Sequence, residues 1–248
     1  MANPVMLITG ASSGIGAATA ILAAERGYDV VITYLSNREP AEAVVQKIIA
    51  LERRALCVQA DVGIETDIVN LFAQLDNHFG RLDVLVNNAA ILRQKLFRDI
   101  QVAELEKVFA VNVIGSFICA REAIKRMSKN NGGDGGSIVN ISSIAARFGS
   151  PFEYIDYAAS KGAIDTFTMG LAKEVVAEGI RVNCVRPGII NTDLHAKGGE
   201  AGRIARIAPT IPMQRAGEVD EIAKTVLWLA SDEASYITGS LVDVSGGR

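Results

Sequence analysis

The chain has 248 residues, of which 49% are hydrophobic, and a formal net charge of −3. That apolar content supplies a full core and excludes a disordered chain, and Lys and Arg are too dispersed to form a basic stripe for nucleic acid. The length suits one large α/β domain or two small ones, and no change of composition marks a linker. Cys57, Cys119 and Cys184 lie far apart inside apolar runs and read as buried small hydrophobes. With His78 and His195 as the only histidines, neither a Cys/His zinc site nor any other metal is expected. The opening MANPVMLITGASSG has no basic stretch and no long apolar stretch, so it is not a signal peptide. No apolar run reaches the roughly 18 residues of a membrane span. A cytoplasmic protein is expected.

In chain order, VMLIT (5–9) reads as a strand and residues 14–26 as a helix. DVVITY (29–34) and a helix over 40–53 follow, then ALCVQA (55–60) and a helix over 65–79. DVLVNN (83–88) leads to a long helix near 103–128, and SIVNIS (137–142) to a helix near 157–177. IRVNCV (180–185) and SLVDV (240–244) are the last two strands. Continuous β-branched runs, rather than strict alternation, fit strands covered on both faces. Strand–helix alternation throughout predicts an α/β fold: one doubly wound, seven-stranded parallel sheet with helices on both faces, a single Rossmann-type domain over 1–248. Residues 193–217, rich in Gly and Pro, are expected to form a mobile segment covering a substrate site.

The first strand runs directly into TGASSGIG (9–16) and a helix. Gly10, Gly14 and Gly16 allow a tight turn and close approach to a pyrophosphate, while Ser12, Ser13 and Ile15 carry the turn to the helix N-terminus and its unpaired N–H groups. The spacing is G-x-x-x-G-x-G rather than G-x-G-x-x-G. An NAD-binding chain places an acid about 20 residues further on, at the end of the second strand. Tyr34 stands there instead, followed by Ser36, Asn37 and Arg38, a set that suits the 2′-phosphate of NADP. NAD remains possible, because Arg38 also reads as a solvated loop residue. Asp61, at the third strand end, reads as a partner for adenine or as the cap of the next helix.

Tyr157 and Lys161 stand four apart and share a helix face. A tyrosine of pKa ~10 is a poor base near neutral pH. An adjacent ammonium is expected to lower that value and make the pair a proton-transfer device. Tyr154, seven residues from Lys161, does not have the spacing of the paired tyrosine and reads as pocket lining.

TGASSGIG, NNAA (87–90), a serine at the fifth strand end, Y-x-x-x-K (157–161) and RPG (186–188) occur in that order, and together the chain resembles the short-chain dehydrogenase/reductase family over nearly its whole length. The look is that of bacterial glucose-type dehydrogenases and β-ketoacyl-carrier-protein reductases. The resemblance implies a catalytic Ser143, with Ser142 as fallback, and Tyr157 as acid/base. It implies that Lys161 binds the nicotinamide ribose and that Asn112 holds a water behind Lys161. It places Asp61 and Val62, Asn88 and Ala89, and Pro187, Gly188, Ile190 and Thr192 along the cofactor. It implies NADP(H)-dependent interconversion of an alcohol and a small or medium carbonyl by a homodimer or homotetramer.

Departures from the family pattern are Ala90 in place of a glycine, a Ser143–Tyr157 spacing one residue longer than in many relatives, and Ser13 where NADP-linked relatives place a base. Glu178 and Asp134 stand where carrier-protein reductases hold basic docking residues, which argues against a carrier-bound substrate. A dinucleotide sensor without catalysis is the competing class, and the intact Ser143, Tyr157, Lys161 and Asn112 set speaks against it. Ile91, Arg93, Ala145, Tyr154 and Ile189 are expected to line the substrate pocket.

Overall fold

The computed structural model describes residues 3–192, 194 and 199–248. Seven strands, β1 (Val5–Ile8), β2 (Asp29–Tyr34), β3 (Ala55–Gln59), β4 (Val84–Asn87), β5 (Gly136–Ile141), β6 (Ile180–Pro187) and β7 (Leu241–Val244), form one parallel sheet in the order β3-β2-β1-β4-β5-β6-β7. The order reverses between β1 and β4, and a crevice opens beyond their carboxyl ends, the usual ligand position in such sheets.

Side chains alternate across the sheet. Met6, Ile8, Val30 and Ile32 point to one face, where they meet α1 (Gly14–Glu25), α2 (Arg38–Ala50) and a late helix, Val219–Ala230. Val5, Leu7, Val31 and Leu85 point to the other, against α3 (Glu65–Phe79), α5 (Gly115–Met127) and α7 (Ile155–Val175). These two cores, one on each face, explain why the strands read as unbroken apolar runs. No described helix is long and apolar enough to cross a membrane.

The long helix expected over 103–128 is three pieces: α4 (Val102–Phe109), a π-helical turn at Ala110–Ile114, and α5. A π turn shifts the helix face by one residue, and local periodicity does not reveal it. Short helices α6 (Ala145–Phe148) and α8 (Arg203–Ile207) flank the crevice. The late helix, α9, has no counterpart among the expected elements. Its signals are nonetheless present: a reciprocal cap between Glu218 and Glu221, then Ile222, Ala223, Val226, Leu227 and Leu229 facing the core. Cys119 and Cys184 are buried as expected, but Cys57 is only half-buried because β3 is an edge strand. Of the predicted covering segment, residues 193 and 195–198 lie outside the described residues. From 199 onward it crosses the crevice, with Ile207 and Ile211 packed on Ile189.

Candidate active site

Gly10 leaves β1 with a φ of 64°, in the left-handed region, and a Cβ there would come within 2.9 Å of Ala89 Cα. At Gly16 a Cβ would stand 2.6 Å from Asn88 Nδ2 and 2.7 Å from the Gly10 carbonyl. Asn88 fastens the turn to the end of β4: its Nδ2 donates to the carbonyls of Thr9 (2.8 Å) and Gly10 (3.0 Å), and its backbone N–H donates to Thr9 Oγ1 (3.0 Å). Helix α1 begins at Gly14 with no side-chain cap from Ser13 and no acid in its first turn. Its first N–H groups are therefore free for an anion.

Gly10, Ser12, Ser13, Gly14 and Ile15 line one cavity with Tyr34, Asp61, Val62, Asn88 and Ala89. Gly16 lies behind it as a packing contact. Ser36, Asn37 and Arg38 do not line it. Asn37 caps α2, accepting from the Glu39 N–H (3.2 Å), and the exposed Arg38 pairs with Glu42 (2.7 Å). Asp61 lines the cavity and does not cap α3, whose cap position is Ile64. It accepts from the Gly63 N–H (2.8 Å) and pairs with Lys107 (2.7 Å). Burial opposes its ionisation, but the bonds from Lys107 and Gly63 outweigh that and hold the carboxyl below its usual range. Lys107 and Leu35, both on this cavity wall, had no sequence signal.

Ile15, Asn88, Ala90, Thr192 and Leu194 also line a second cavity of about 510 Å³, so the two form one cleft. Ser143, Tyr157, Lys161, Pro187, Gly188 and Ile190 lie in this part. The Ser143 hydroxyl accepts from the Ala145 N–H (3.1 Å) and lies near the Tyr157 phenol on the wall of the same cavity, placed to act with it. Ser142 is not available for that work: it is buried and donates to the Lys161 carbonyl (3.0 Å). Lys161 is 3% exposed, donates to the Ile141 carbonyl (2.7 Å), and sits 5.6 Å from the centre of the Tyr157 ring. The crowded cleft pushes Tyr157 up to about 12 by burial, with the nearby Ser143 hydroxyl and the Arg203 charge pulling the other way. Burial likewise lowers Lys161 to about 8, opposed by Cys184 and Asp165. In the chain by itself, then, desolvation outweighs the lowering of the tyrosine expected from its neighbouring ammonium.

Asn112 is carried by the π turn. Its Oδ1 accepts from the Ile91 N–H (2.8 Å), and its Nδ2 donates to the Ile91 carbonyl (2.9 Å) and Ser160 Oγ (3.1 Å). It thereby ties the segment after β4 to α7. Ala145, Tyr154 and Ile189 line the pocket as expected, while Ile91 lies on the cofactor side. Arg93 pairs with Glu104 (3.1 Å) in a separate recess.

The pocket wall facing Tyr157 holds charges that were not singled out from sequence. Arg203, on α8, is 6% exposed, and its guanidinium lies 4.7 Å from the centre of the Tyr154 ring. Its Nη1 bonds both Glu153 and Glu200 (3.0 Å to the latter), and Arg206 bonds the same two carboxylates from outside (2.6 and 2.5 Å). Glu153 belongs to the longer Ser143–Tyr157 loop, where Ser150 and Phe152 adopt positive φ. About fifty residues separate it from Arg203, so no local pattern announces the pair.

Residues 10–248 match the family described as Enoyl-(Acyl carrier protein) reductase. The chain is 51% identical over 245 residues to the uncharacterized oxidoreductase YgfF of Escherichia coli (strain K12), covering 98% of this chain and 99% of that one. It is 39% identical over 244 residues to a 3-oxoacyl-[acyl-carrier-protein] reductase of Synechocystis sp., covering 98% and 96%. Among solved structures it resembles a short chain dehydrogenase from Burkholderia cenocepacia in complex with NADP, with TM-score 0.90, 35% identity, and coverage of 98% and 97%.

Proposed function

The chain belongs to the short-chain dehydrogenase/reductase family, and on that premise we propose that it interconverts an alcohol and a small or medium carbonyl by hydride transfer with NADP(H). The observation that carries this reading is the continuous cleft that joins the glycine turn to Ser143, Tyr157 and Lys161. The glycine turn, the free α1 N-terminus and the absence of an acid at Tyr34 suit an NADP molecule. Arg38 would meet the 2′-phosphate by leaving Glu42, an exposed partner of small energetic weight. The bound nicotinamide supplies or takes the hydride.

The chain's own groups manage the proton. Ser143 donates to the substrate oxygen as negative charge grows there, and Tyr157 transfers its proton to the same atom. With its pKa near 12, Tyr157 is protonated at neutral pH, which is the form that reduction needs. Lys161 orients the ribose, and Asn112 positions α7 behind it. A carrier-bound substrate is the second reading, favoured by the Synechocystis relative. Asp134 and Glu178, expected from sequence to oppose a carrier, lie at the far end of β5 from Ser143 and away from the cleft, so they do not bear on docking there.

The test is consumption of NADPH and NADH, side by side, over aldehydes, ketones, diketones and sugars. Turnover with NADPH that falls about 100-fold or more in Tyr157→Phe is expected. A preference for NADH would overturn the cofactor assignment. Tight cofactor binding with no turnover on any compound would favour a sensor. A homodimer or homotetramer is also proposed, since Ile114, Phe117 and Met169 stay exposed on the α5–α7 face.

A further inference from the structure

The charged side chains around the substrate cavity are matched, with one exception. Arg203 and Arg206 share Glu153 and Glu200. Lys161 is held on the Ile141 carbonyl. Arg248 lines the same cavity as Ser143 and Tyr157, is exposed, and makes no ion pair among the described residues. It also lines an adjoining recess, whose acids are already taken: Asp243 by Arg147 (2.7 Å) and Arg186 (2.6 Å), and Glu221 by Arg215 (2.8 Å). Arg186 reaches Asp165 as well (3.3 Å). Four arginine side chains therefore meet three acids, and the cation left over is the one that borders both spaces.

Its position is fixed from two sides. The Gly188 N–H donates to the Val244 carbonyl (3.0 Å), and Ser245 Oγ donates to the Arg248 carbonyl (3.0 Å), which fastens this segment beside the end of β6. The guanidinium lies 5.8 Å from the centre of the Phe148 ring, within reach of its face. Phe148 ends α6, and Ala145 at the start of that helix donates to Ser143. One short helix thus links the reacting end of the cavity to the ring on which Arg248 rests. Elsewhere the wall is largely apolar, with Ile144, Pro151 and Leu194, while Ser150 and Thr210 add hydroxyls and that of Thr210 already donates to the Ile207 carbonyl (2.8 Å). Arg248 does not line the cofactor cavity, so the cofactor phosphates are not its counterpart.

We propose that Arg248 receives a carboxylate at the far end of the substrate, so that the enzyme prefers oxo acids to the corresponding neutral carbonyl compounds. The carbonyl oxygen sits at Ser143 and Tyr157 and reacts. The carboxylate pairs with the guanidinium and is unchanged. The inference rests on the oxidoreductase reading above and narrows its substrate.

The experiment is steady-state reduction with NADPH of two ladders, aldehyde acids and methyl-ketone acids of about four to eight carbons, a length this cavity admits, each acid set against its own methyl ester. At its best chain length, wild type should favour the acid by about tenfold in kcat/KM, the worth of one hydrogen-bonded charge pair. The difference should lie mainly in KM, because the carboxylate is remote from the reacting atoms. Arg248→Met should bring the ratio towards one, and Arg248→Glu should favour the ester. Raising the ionic strength should shrink the ratio in wild type and leave it unmoved in Arg248→Met, since an exposed pair is screened. Arg98→Met makes the same change in net charge at an exposed site outside these cavities, and its ratio should stay within about threefold of wild type. Because each ratio is taken within one protein, partial unfolding does not mimic the effect. A wild-type ratio near or below one at every length, a ratio retained in Arg248→Met, or an equal loss in Arg98→Met would each overturn the proposal. Failure of the parent reading has a different signature, no NADPH consumption on any acid or ester, and that result overturns both.

Discussion

Lys161 holds its ammonium against the Ile141 carbonyl in a site that is 3% exposed, and burial lowers its pKa from 10.5 to about 8. Below about pH 8 both the folded and the unfolded lysine are charged, and the fold carries the full desolvation cost. Between about 8 and 10.5 the unfolded chain binds more protons, so this group's contribution to stability rises with pH. The difference corresponds to about 3 kcal/mol. Lys161→Met should therefore be inactive yet more stable than wild type near neutral pH, by about 2 kcal/mol once the orphaned Ile141 carbonyl is counted. That advantage should shrink towards pH 10. Urea unfolding at both pH values checks it, and a gap that is absent or independent of pH refutes it. Tyr157 works with the opposite sign: its contribution is present below about pH 10 and lost as pH rises through about 12, equally in both proteins. Tyr157, Lys161 and Ser143 were legible in the sequence because each belongs to a short local pattern. Arg203, Glu153 and Lys107 were not, because their meaning comes from partners about fifty residues away.

The start of α1 is the element whose fit matters most to the cleft. Gly16 is surrounded by Asn88 Nδ2, the Gly10 carbonyl and Ala11 Cα, all closer than 3.0 Å to where a Cβ would lie. Two of the three are backbone atoms and cannot turn aside. Gly16→Ala should cost about 1–3 kcal/mol of stability by overpacking and displace the free N–H groups of α1. Thermal melts and NADPH fluorescence titration measure the two effects, and an alanine variant with unchanged melting and affinity would show the contact to be soft. Strands and most helices could be placed from sequence because both faces of the sheet are covered and each strand is a continuous apolar run. The π turn was hidden: one extra residue inside a helical pattern leaves both halves periodic, and only Asn112's partners reveal why it is there.

At the scale of the whole molecule, Phe117 and Phe167 stack at 3.8 Å on the outer face of α5 and α7, beside the exposed Ile114 and Met169. An apolar face of this kind is a recognised mark of association. Phe117→Glu should shift the sedimentation coefficient of the protein towards that of a single chain, and a wild type that already sediments as one chain would remove the basis for the assembly.

Helix α1, which holds the glycine turn, rests against α9, and the two share one core with Ile222, Val226 and Leu227. On the ribosome the cofactor turn is therefore among the first segments made and among the last to be housed. Until residues beyond Val219 emerge, the inner face of α1 has no wall on that side, and the nascent chain carries exposed apolar surface that invites chaperone binding. A chain stopped after Gly217 should show neither a cooperative melt nor NADPH binding, and retention of either would mean that the first strands organise the cofactor turn without their last neighbour.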